Sequence, residues 1–284
     1  MSTRPLISTD WLRANLGMPS LIVADVRWVP GGSATEAFER GHIPSAILLD
    51  ADTDLAGKPF TQGPGRHPLP SPEAFASTMS RAGIGDDTTV IAYDDNSGSY
   101  AARLWWTLDA LGQPAVGVLD GALAAWGGPV ETGPAKQREP VTFTAKPWPR
   151  ELIADAGDVA DAIRDANAVV LDARAPERYR GDVEPIDPVA GHIPGARSAP
   201  WAGNLDPTTG RFLDPDALRK RYEALGADDT HHAIAQCGSG LTACHDVLAL
   251  RLAGLGHARL YEGSWSDWVN DPSRPVATGD DAGR

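Results

Sequence analysis

Short, wholly apolar runs recur along this chain, separated by polar and glycine-rich turns. They occupy residues 21–24, 90–92, 169–171 and 233–235. Strands that are apolar on both faces are typical of parallel sheets covered by helices on each side. Segments with a helical density of apolar residues alternate with these runs, as in residues 243–252. The pattern therefore predicts an α/β fold with parallel sheets flanked by helices.

The same landmarks occur twice, in the same order. The first two repeated motifs are Asp-x-Arg, at 25–27 and 172–174, and Gly-His-Ile-Pro, at 41–44 and 191–194. The third is an acidic residue followed by a glycine, Gly121 or Gly263, with a tryptophan five residues later, Trp126 or Trp268. A repeat of this length indicates duplicated domains rather than a solenoid of short units.

The repeat predicts a first domain over residues 1–130 and a second over residues 151–284. Residues 131–150 between them form a predicted linker. Five prolines fall within residues 127–149, which favours an irregular segment lying on a surface. The alternation at residues 141–144 predicts one additional edge strand within this linker.

Composition and charge exclude several classes of function. Of 284 residues, 42% are apolar and 22% are charged, which is typical of a globular protein. The net charge of −13 disfavours nucleic acid and anionic membranes as partners. The sequence shows neither a signal-peptide core nor a membrane-spanning run, and it contains only two cysteines. We therefore expect a cytoplasmic protein in a reducing compartment, with no membrane partner.

The most reactive feature predicted by the sequence is the loop Cys-Gly-Ser-Gly-Leu-Thr-Ala at 237–243. It lies between a predicted buried strand and a predicted helix, and carboxyl ends of strands are where ligands bind in open α/β sheets. Glycines let successive backbone N–H groups point toward one place, which would stabilise an anionic sulfur. In the first half, Asp94 or Asp95 stands where Cys237 stands in the second. We therefore expect the first domain to be non-catalytic.

These motifs together resemble two tandem rhodanese-like domains, inactive in the first and active in the second. The Gly-His-Ile-Pro pairs, the Gly-x-x-x-x-Trp endings and the cysteine loop are similar to those of two-domain thiosulfate and 3-mercaptopyruvate sulfurtransferases. The resemblance implies that Cys237 takes a sulfane sulfur from a small-molecule donor as a persulfide. The sulfur then passes to cyanide or to a thiol, with a thioredoxin-like protein among the candidate acceptors. No cofactor and no metal is implied.

The residues after the cysteine favour the mercaptopyruvate branch of this family. Thiosulfate enzymes typically carry Arg and Lys in the two positions after the cysteine, whereas this chain has Gly238 and Ser239. In the mercaptopyruvate branch, the loop serine works with a histidine and an aspartate of the first domain. Motif by motif, the resemblance assigns these catalytic roles to Ser239, His67 and Asp52 beside Cys237.

The resemblance also implies a substrate-binding set that includes an arginine. Arg178 matches the first substrate arginine of the family. The usual second arginine, shortly before the second Gly-His-Ile-Pro motif, is absent from residues 183–190. Either Arg180 or an arginine from elsewhere replaces it, or the donor is different. The loop residues expected to contact substrate are Gly238, Gly240, Leu241 and Thr242.

Two other interpretations of these residues compete with sulfur transfer by an enzyme. A cysteine phosphatase or arsenate reductase would need an arginine near the position of Ala243, which disfavours both. A persulfide carrier or an interaction module is also compatible with the loop.

We assign Cys244 to the core, because it lies about two helical turns beyond Cys237. We assign His42 and His192 structural roles, because both halves contain them.

Overall fold

The computed structural model describes residues 5–61, 63–256, 258–280 and 282. Within these ranges the chain divides into two compact units. Unit 1 contains residues up to 57, together with 70–148 and 207–211. Unit 2 contains residues 58–69, 149–206 and those from 212 onward. The boundaries predicted from the repeat, at 130 and 151, stay a prediction. Across the described ranges, no helix is both long and apolar enough to cross a membrane.

Unit 1 is built on a parallel sheet of five strands, counted over the described residues, in the order β1-β5-β4-β2-β3. The strands are β1 (Leu6–Ile7), β2 (Leu21–Arg27), β3 (Ile47–Asp50), β4 (Thr89–Tyr93) and β5 (Val116–Leu119). The helices are α1 (Thr9–Asn15), α2 (Ala34–Arg40), α3 (Pro72–Arg81) and α4 (Ala101–Ala110). All seven residues of β2 are buried, because helices cover both faces of the sheet.

Unit 2 repeats this architecture, with the order β6-β10-β9-β7-β8 in the described part of its sheet. The strands are β6 (Ile153–Ala154), β7 (Ala168–Asp172), β8 (Arg197–Ser198), β9 (His232–Gln236) and β10 (Arg259–Tyr261). The helices are α5 (Ala156–Ala162), α6 (Pro176–Arg180), α7 (Pro215–Ala224), α8 (Ala243–Leu252) and α9 (Ser264–Trp268). The predicted α/β class with parallel sheets flanked by helices is confirmed.

The repeated motifs form equivalent buried contacts in each unit. In unit 2, Arg174 pairs with Asp172 at 2.7 Å and donates to the carbonyl of Gly191 at 2.7 Å. His192 follows this glycine, stacks on Tyr179 with 3.8 Å between ring centroids, and makes a 2.8 Å contact between Nδ1 and the Tyr179 carbonyl. The corresponding residues in unit 1 are Arg27, Asp25, Gly41, His42 and Phe38. These contacts give both motif histidines a packing role.

The edge strand predicted at 141–144 does not form, so that prediction was wrong. The backbone N–H of Val141 donates to the Ser80 carbonyl at 3.1 Å, and that of Thr144 donates to the Asp86 carboxylate at 2.8 Å. Phe143 inserts its ring against Phe75, with 5.8 Å between centroids. The alternating pattern therefore reflects a segment anchored by side chains, with no ladder to a neighbouring strand among the described residues.

Candidate active site

Cys237 lies directly after β9, at the carboxyl edge of the sheet of unit 2. Gln236 pairs with Asp172 in the sheet, and the chain then turns into the loop before α8. The side chain is buried, at 2% exposure. The backbone N–H groups of Ser239 and Gly240 point at its Sγ atom, at 3.4 and 3.1 Å. Two backbone donors of the loop therefore converge on the sulfur of Cys237.

The first turn of α9 holds this loop in position. The hydroxyl of Ser264 accepts from the Cys237 N–H at 3.0 Å. The backbone N–H groups of Trp265 and Ser266 donate to the carbonyls of Cys237 and Gly238, each at 3.0 Å. These bonds satisfy the polar backbone groups on the far side of the loop. The N–H groups beside the sulfur remain directed toward it.

Gly240 is required for the shape of the loop. Its φ of +81° lies in the left-handed region, which side chains disfavour. A Cβ atom at this position would also collide with the backbone carbonyl of Glu262. Leu241 and Thr242 follow, and their carbonyls accept the N–H groups of Cys244 and His245 at 3.2 and 3.1 Å. Both residues therefore lead into α8, and contact with substrate stays a prediction for them.

His67 and Ser239 lie within hydrogen-bonding distance of each other. The Nδ1 atom of His67 is 2.6 Å from the Ser239 Oγ atom, and both residues are about 5% exposed. His67 belongs to segment 58–69, which packs in unit 2. The segment is held by a 2.6 Å bond from the Leu69 N–H to the Glu262 carboxylate. A general base must reach the proton that it moves, and this pair meets that requirement.

Asp52 lies in unit 1, shortly after β3. Its Oδ1 atom accepts from the Trp28 indole N–H at 3.0 Å, and its backbone N–H donates to the Asp50 carboxylate at 2.8 Å. The indole bond orients the Asp52 carboxylate. Its predicted role in orienting the imidazole of His67 stays a prediction.

Two arginines lie beside Gly238. A Cβ atom built there would be 3.1 Å from Nη2 of Arg66 and 3.5 Å from each Nη atom of Arg178. Arg178 was predicted, and Arg66 was not. The sequence offers one signal for Arg66, which is its position immediately before the predicted His67. Burial lowers the pKa of Arg66, and the charge of the nearby Cys237 sulfur opposes that change.

Two acidic residues fix these guanidinium groups. Glu184 binds Arg178 at 2.7 Å, and Asp187 binds Arg178 at 3.3 Å through one oxygen and Arg66 through the other. Both carboxylates are 3% exposed. The sequence does not reveal this pairing, because the family pattern places a cation, not acidic residues, within residues 183–190. Arg66 is thus the second guanidinium group beside Gly238, whereas Arg180 pairs with the exposed Asp182.

In unit 1, Asp94 occupies the position of the cysteine. Tyr93 pairs with Asp25 as Gln236 pairs with Asp172, so Asp94 and not Asp95 is the equivalent of Cys237. The Asp94 carboxylate accepts four backbone N–H groups, from residues 96, 98, 100 and 101, at 2.7–2.9 Å. Burial raises the pKa of Asp94, although these four donors favour its charged form. The loop amides of unit 1 are thus satisfied by an internal carboxyl group.

The remaining candidate ligands do not converge on a metal site. Among the described residues, no group of three or more His, Cys, Asp or Glu side chains could hold an ion. Cys244 is buried in α8, where its thiol donates to the Gly240 carbonyl at 3.4 Å. Neither cysteine forms a disulfide.

Comparison with known families agrees with the geometry of the two units. The family model of the Rhodanese-like domain matches residues 8–128 and again residues 155–271. The chain belongs to the rhodanese family. It contains two tandem rhodanese-like domains, each with a parallel sheet flanked by helices.

Relatives of this rhodanese carry sulfurtransferase names. A Pseudomonas aeruginosa protein named probable 3-mercaptopyruvate sulfurtransferase is 44% identical, covering 99% of this chain and 100% of that protein. The human 3-mercaptopyruvate sulfurtransferase is 34% identical, covering 93% and 92%. The crystal structure of SseA from Escherichia coli superposes with a TM-score of 0.81 at 31% identity, covering 93% and 100%. This rhodanese is a sulfurtransferase.

Proposed function

We propose that this rhodanese transfers a sulfane sulfur from 3-mercaptopyruvate to a thiophilic acceptor through a persulfide on Cys237. Thiosulfate is the second donor. The observation that carries the proposal is the 2.6 Å contact between His67 and Ser239, in the loop whose N–H groups face the Cys237 sulfur. The relatives' names support the same donor.

The first half-reaction is attack of the Cys237 thiolate on the thiol sulfur of 3-mercaptopyruvate. A sulfur–sulfur bond forms, the carbon–sulfur bond breaks, and its electron pair stays on carbon. The proton of the donor thiol ends on that carbon, which gives pyruvate and an enzyme persulfide anion. Charge and atoms balance without an added oxidant. A general acid–base group beside the sulfur accelerates such a proton transfer, typically by about 10²–10⁴-fold.

Ser239 and His67 are the groups proposed to move this proton. The Ser239 hydroxyl can both donate and accept, and the Nδ1 atom of His67 is within its reach. With thiosulfate no such proton is transferred, because sulfite leaves as an anion. The relay is therefore needed for one donor and dispensable for the other. Asp52 is proposed to orient His67.

The carboxylate of the donor is proposed to bind Arg178 and Arg66. Guanidinium groups bind carboxylates through paired hydrogen bonds. Both groups lie beside Gly238, the residue after the nucleophile. Glycine at position 238 leaves space for the two guanidinium groups. In the proposal, arginines from two other segments take the place of the Arg and Lys that thiosulfate enzymes carry in the loop. Backbone groups of residues 238 and 240–242 are proposed to complete the binding surface.

The second half-reaction passes the outer sulfur to an acceptor. Attack by cyanide on that sulfur releases thiocyanate and restores the Cys237 thiolate. Attack by a thiol yields a persulfide on the acceptor, and a thioredoxin-like protein is the proposed protein acceptor. The two steps require ping-pong kinetics.

Steady-state kinetics with both donors and cyanide test the proposal. The wild-type protein should turn over both donors, with parallel lines in double-reciprocal plots. Cys237→Ser should abolish turnover of each, while Cys244→Ser, a matched change at the buried core cysteine, should keep it. Turnover that survives in Cys237→Ser would overturn the proposal.

A further inference from the structure

The carboxylate of Asp187 bridges the two arginines beside the nucleophile. One oxygen pairs with Nη1 of Arg66, and the other lies 3.3 Å from Nη2 of Arg178. The Asp187 side chain is 3% exposed, whereas those of Arg66 and Arg178 are 20% and 17% exposed. The carboxylate is thus behind the guanidinium groups, which keep a solvent-accessible side.

Charges around Gly238 balance closely. Arg66 and Arg178 contribute two positive charges, and Asp187 and Glu184 contribute two negative charges. The next cation, Arg174, forms its own buried pair with Asp172 at 2.7 Å and lies 3.5 Å from Glu184. The cluster is therefore neutral, although it presents two guanidinium groups to the loop.

A loop with Arg and Lys beside the cysteine would add two positive charges at the same place. Here the backbone N–H groups of the Glu184 turn reinforce the acidic side, because those of Ile186 and Asp187 both donate to Glu184 at 3.1 Å. Glu184 is therefore held by two backbone bonds in addition to its pair with Arg178.

We propose that Asp187 determines donor specificity by cancelling one of the two positive charges, so that the site favours a donor with one negative charge over a donor with two. The inference rests on the proposed function. Coulomb energy scales with the charge of the donor, so a dianion loses twice as much from the nearby carboxylate as a monoanion does. 3-Mercaptopyruvate with its thiol protonated is a monoanion, and thiosulfate is a dianion.

The test is Asp187→Asn, assayed with both donors at low ionic strength. In a ping-pong reaction, kcat/KM for the donor reports only the first half-reaction. Removal of one negative charge should raise kcat/KM about threefold for 3-mercaptopyruvate and about tenfold for thiosulfate. The logarithm of the gain in kcat/KM doubles when the negative charge of the donor doubles. Added salt should reduce both gains. The matched control is Asp182→Asn, which removes the same charge from an exposed residue paired with Arg180.

Arg66→Gln provides the opposite change of charge and covers the case in which Asp187→Asn fails to fold. It should lower kcat/KM more for thiosulfate than for 3-mercaptopyruvate. The decisive quantity is kcat/KM for thiosulfate divided by kcat/KM for 3-mercaptopyruvate. The inference is supported if this ratio rises about threefold in Asp187→Asn, falls in Arg66→Gln and is unchanged in Asp182→Asn. An unchanged or reversed ratio in the folded variants overturns it. A wild-type protein inactive with both donors would instead refute the proposed function.

Discussion

The Nδ1 atom of His67 lies 2.6 Å from the Oγ atom of Ser239, in a pair that joins segment 58–69 to the loop after β9. Backbone bonds fix each partner separately. The His67 segment is held to Glu262 and Ser266, and the Ser239 loop is held by the first turn of α9. Under the proposed function, a hydroxyl and an imidazole positioned in this way would move a proton next to Cys237 without rearrangement of the backbone.

Ser239→Ala should separate the two donors. We expect kcat/KM for 3-mercaptopyruvate to fall about 10²-fold or more, because its thiol proton loses the relay, while the value for thiosulfate changes little. His67→Gln should produce the same selective loss. The double variant should be no worse than either single variant, because the two residues act as one unit. Equal losses with both donors would contradict a proton-transfer role.

Gly240→Ala should destabilise the protein and remove activity. The residue has φ +81°, and the new Cβ would collide with the Glu262 carbonyl. We expect a loss of about 1–3 kcal/mol in the free energy of unfolding, measured by urea denaturation. Gly226→Ala is the matched control, since its φ is +89° with no atom within 4 Å of the new Cβ. A smaller loss at 240 than at 226 would refute the packing argument.

Asp94→Asn tests how unit 1 satisfies its cysteine-free loop. In wild type each carboxylate oxygen of Asp94 accepts two of the four N–H groups. In the asparagine variant one oxygen is replaced by an NH₂ group, which cannot accept, so two N–H groups lose their acceptor. We expect a loss of about 2 kcal/mol or more in unfolding free energy. Asp87→Asn, at an exposed site, should stay within about 0.5 kcal/mol of wild type. Persulfide formation on Cys237 should persist in both variants.

Asp246 should give the stability a measurable pH dependence. Burial raises the pKa of Asp246 to about 7 from its ordinary value of 3.8, although Asn204 donates to it at 2.8 Å. The native state therefore holds a proton that the unfolded chain releases, and stability on this account falls as pH rises from about 4 to 7. Asp246→Asn should remove this fall. Urea midpoints at pH 5 and pH 8 measure it, and identical pH profiles for the two proteins would contradict the prediction.

The fold was predictable because its signals are local. The buried strands are continuous apolar runs, and the duplicated Asp-x-Arg and Gly-His-Ile-Pro motifs mark equivalent positions in each sheet. Cys237 could be predicted from the sequence in the same way, because the glycine loop directly follows its strand along the chain. The expected edge strand failed for a physical reason: Ser80 and Asp86 take its hydrogen bonds, and no strand pairs with it in the described chain.

Arg66 and Asp187 show what the sequence concealed. They are far apart along the chain, and each resembles an ordinary surface charge when read alone. Their role becomes visible only when segment 58–69 and the turn at Glu184 bring them to Gly238. His67 and Ser239 were named through family resemblance, whereas their contact required the folded structure.

The most direct test of the account is the intact mass of the protein after incubation with 3-mercaptopyruvate or thiosulfate and removal of excess donor. We predict a gain of one sulfur atom per chain in the wild type, reversed by cyanide and absent in Cys237→Ser. The Cys244→Ser control should gain the same mass. If neither donor adds sulfur to the wild type, or if Cys237→Ser still gains it, the persulfide on Cys237 is contradicted.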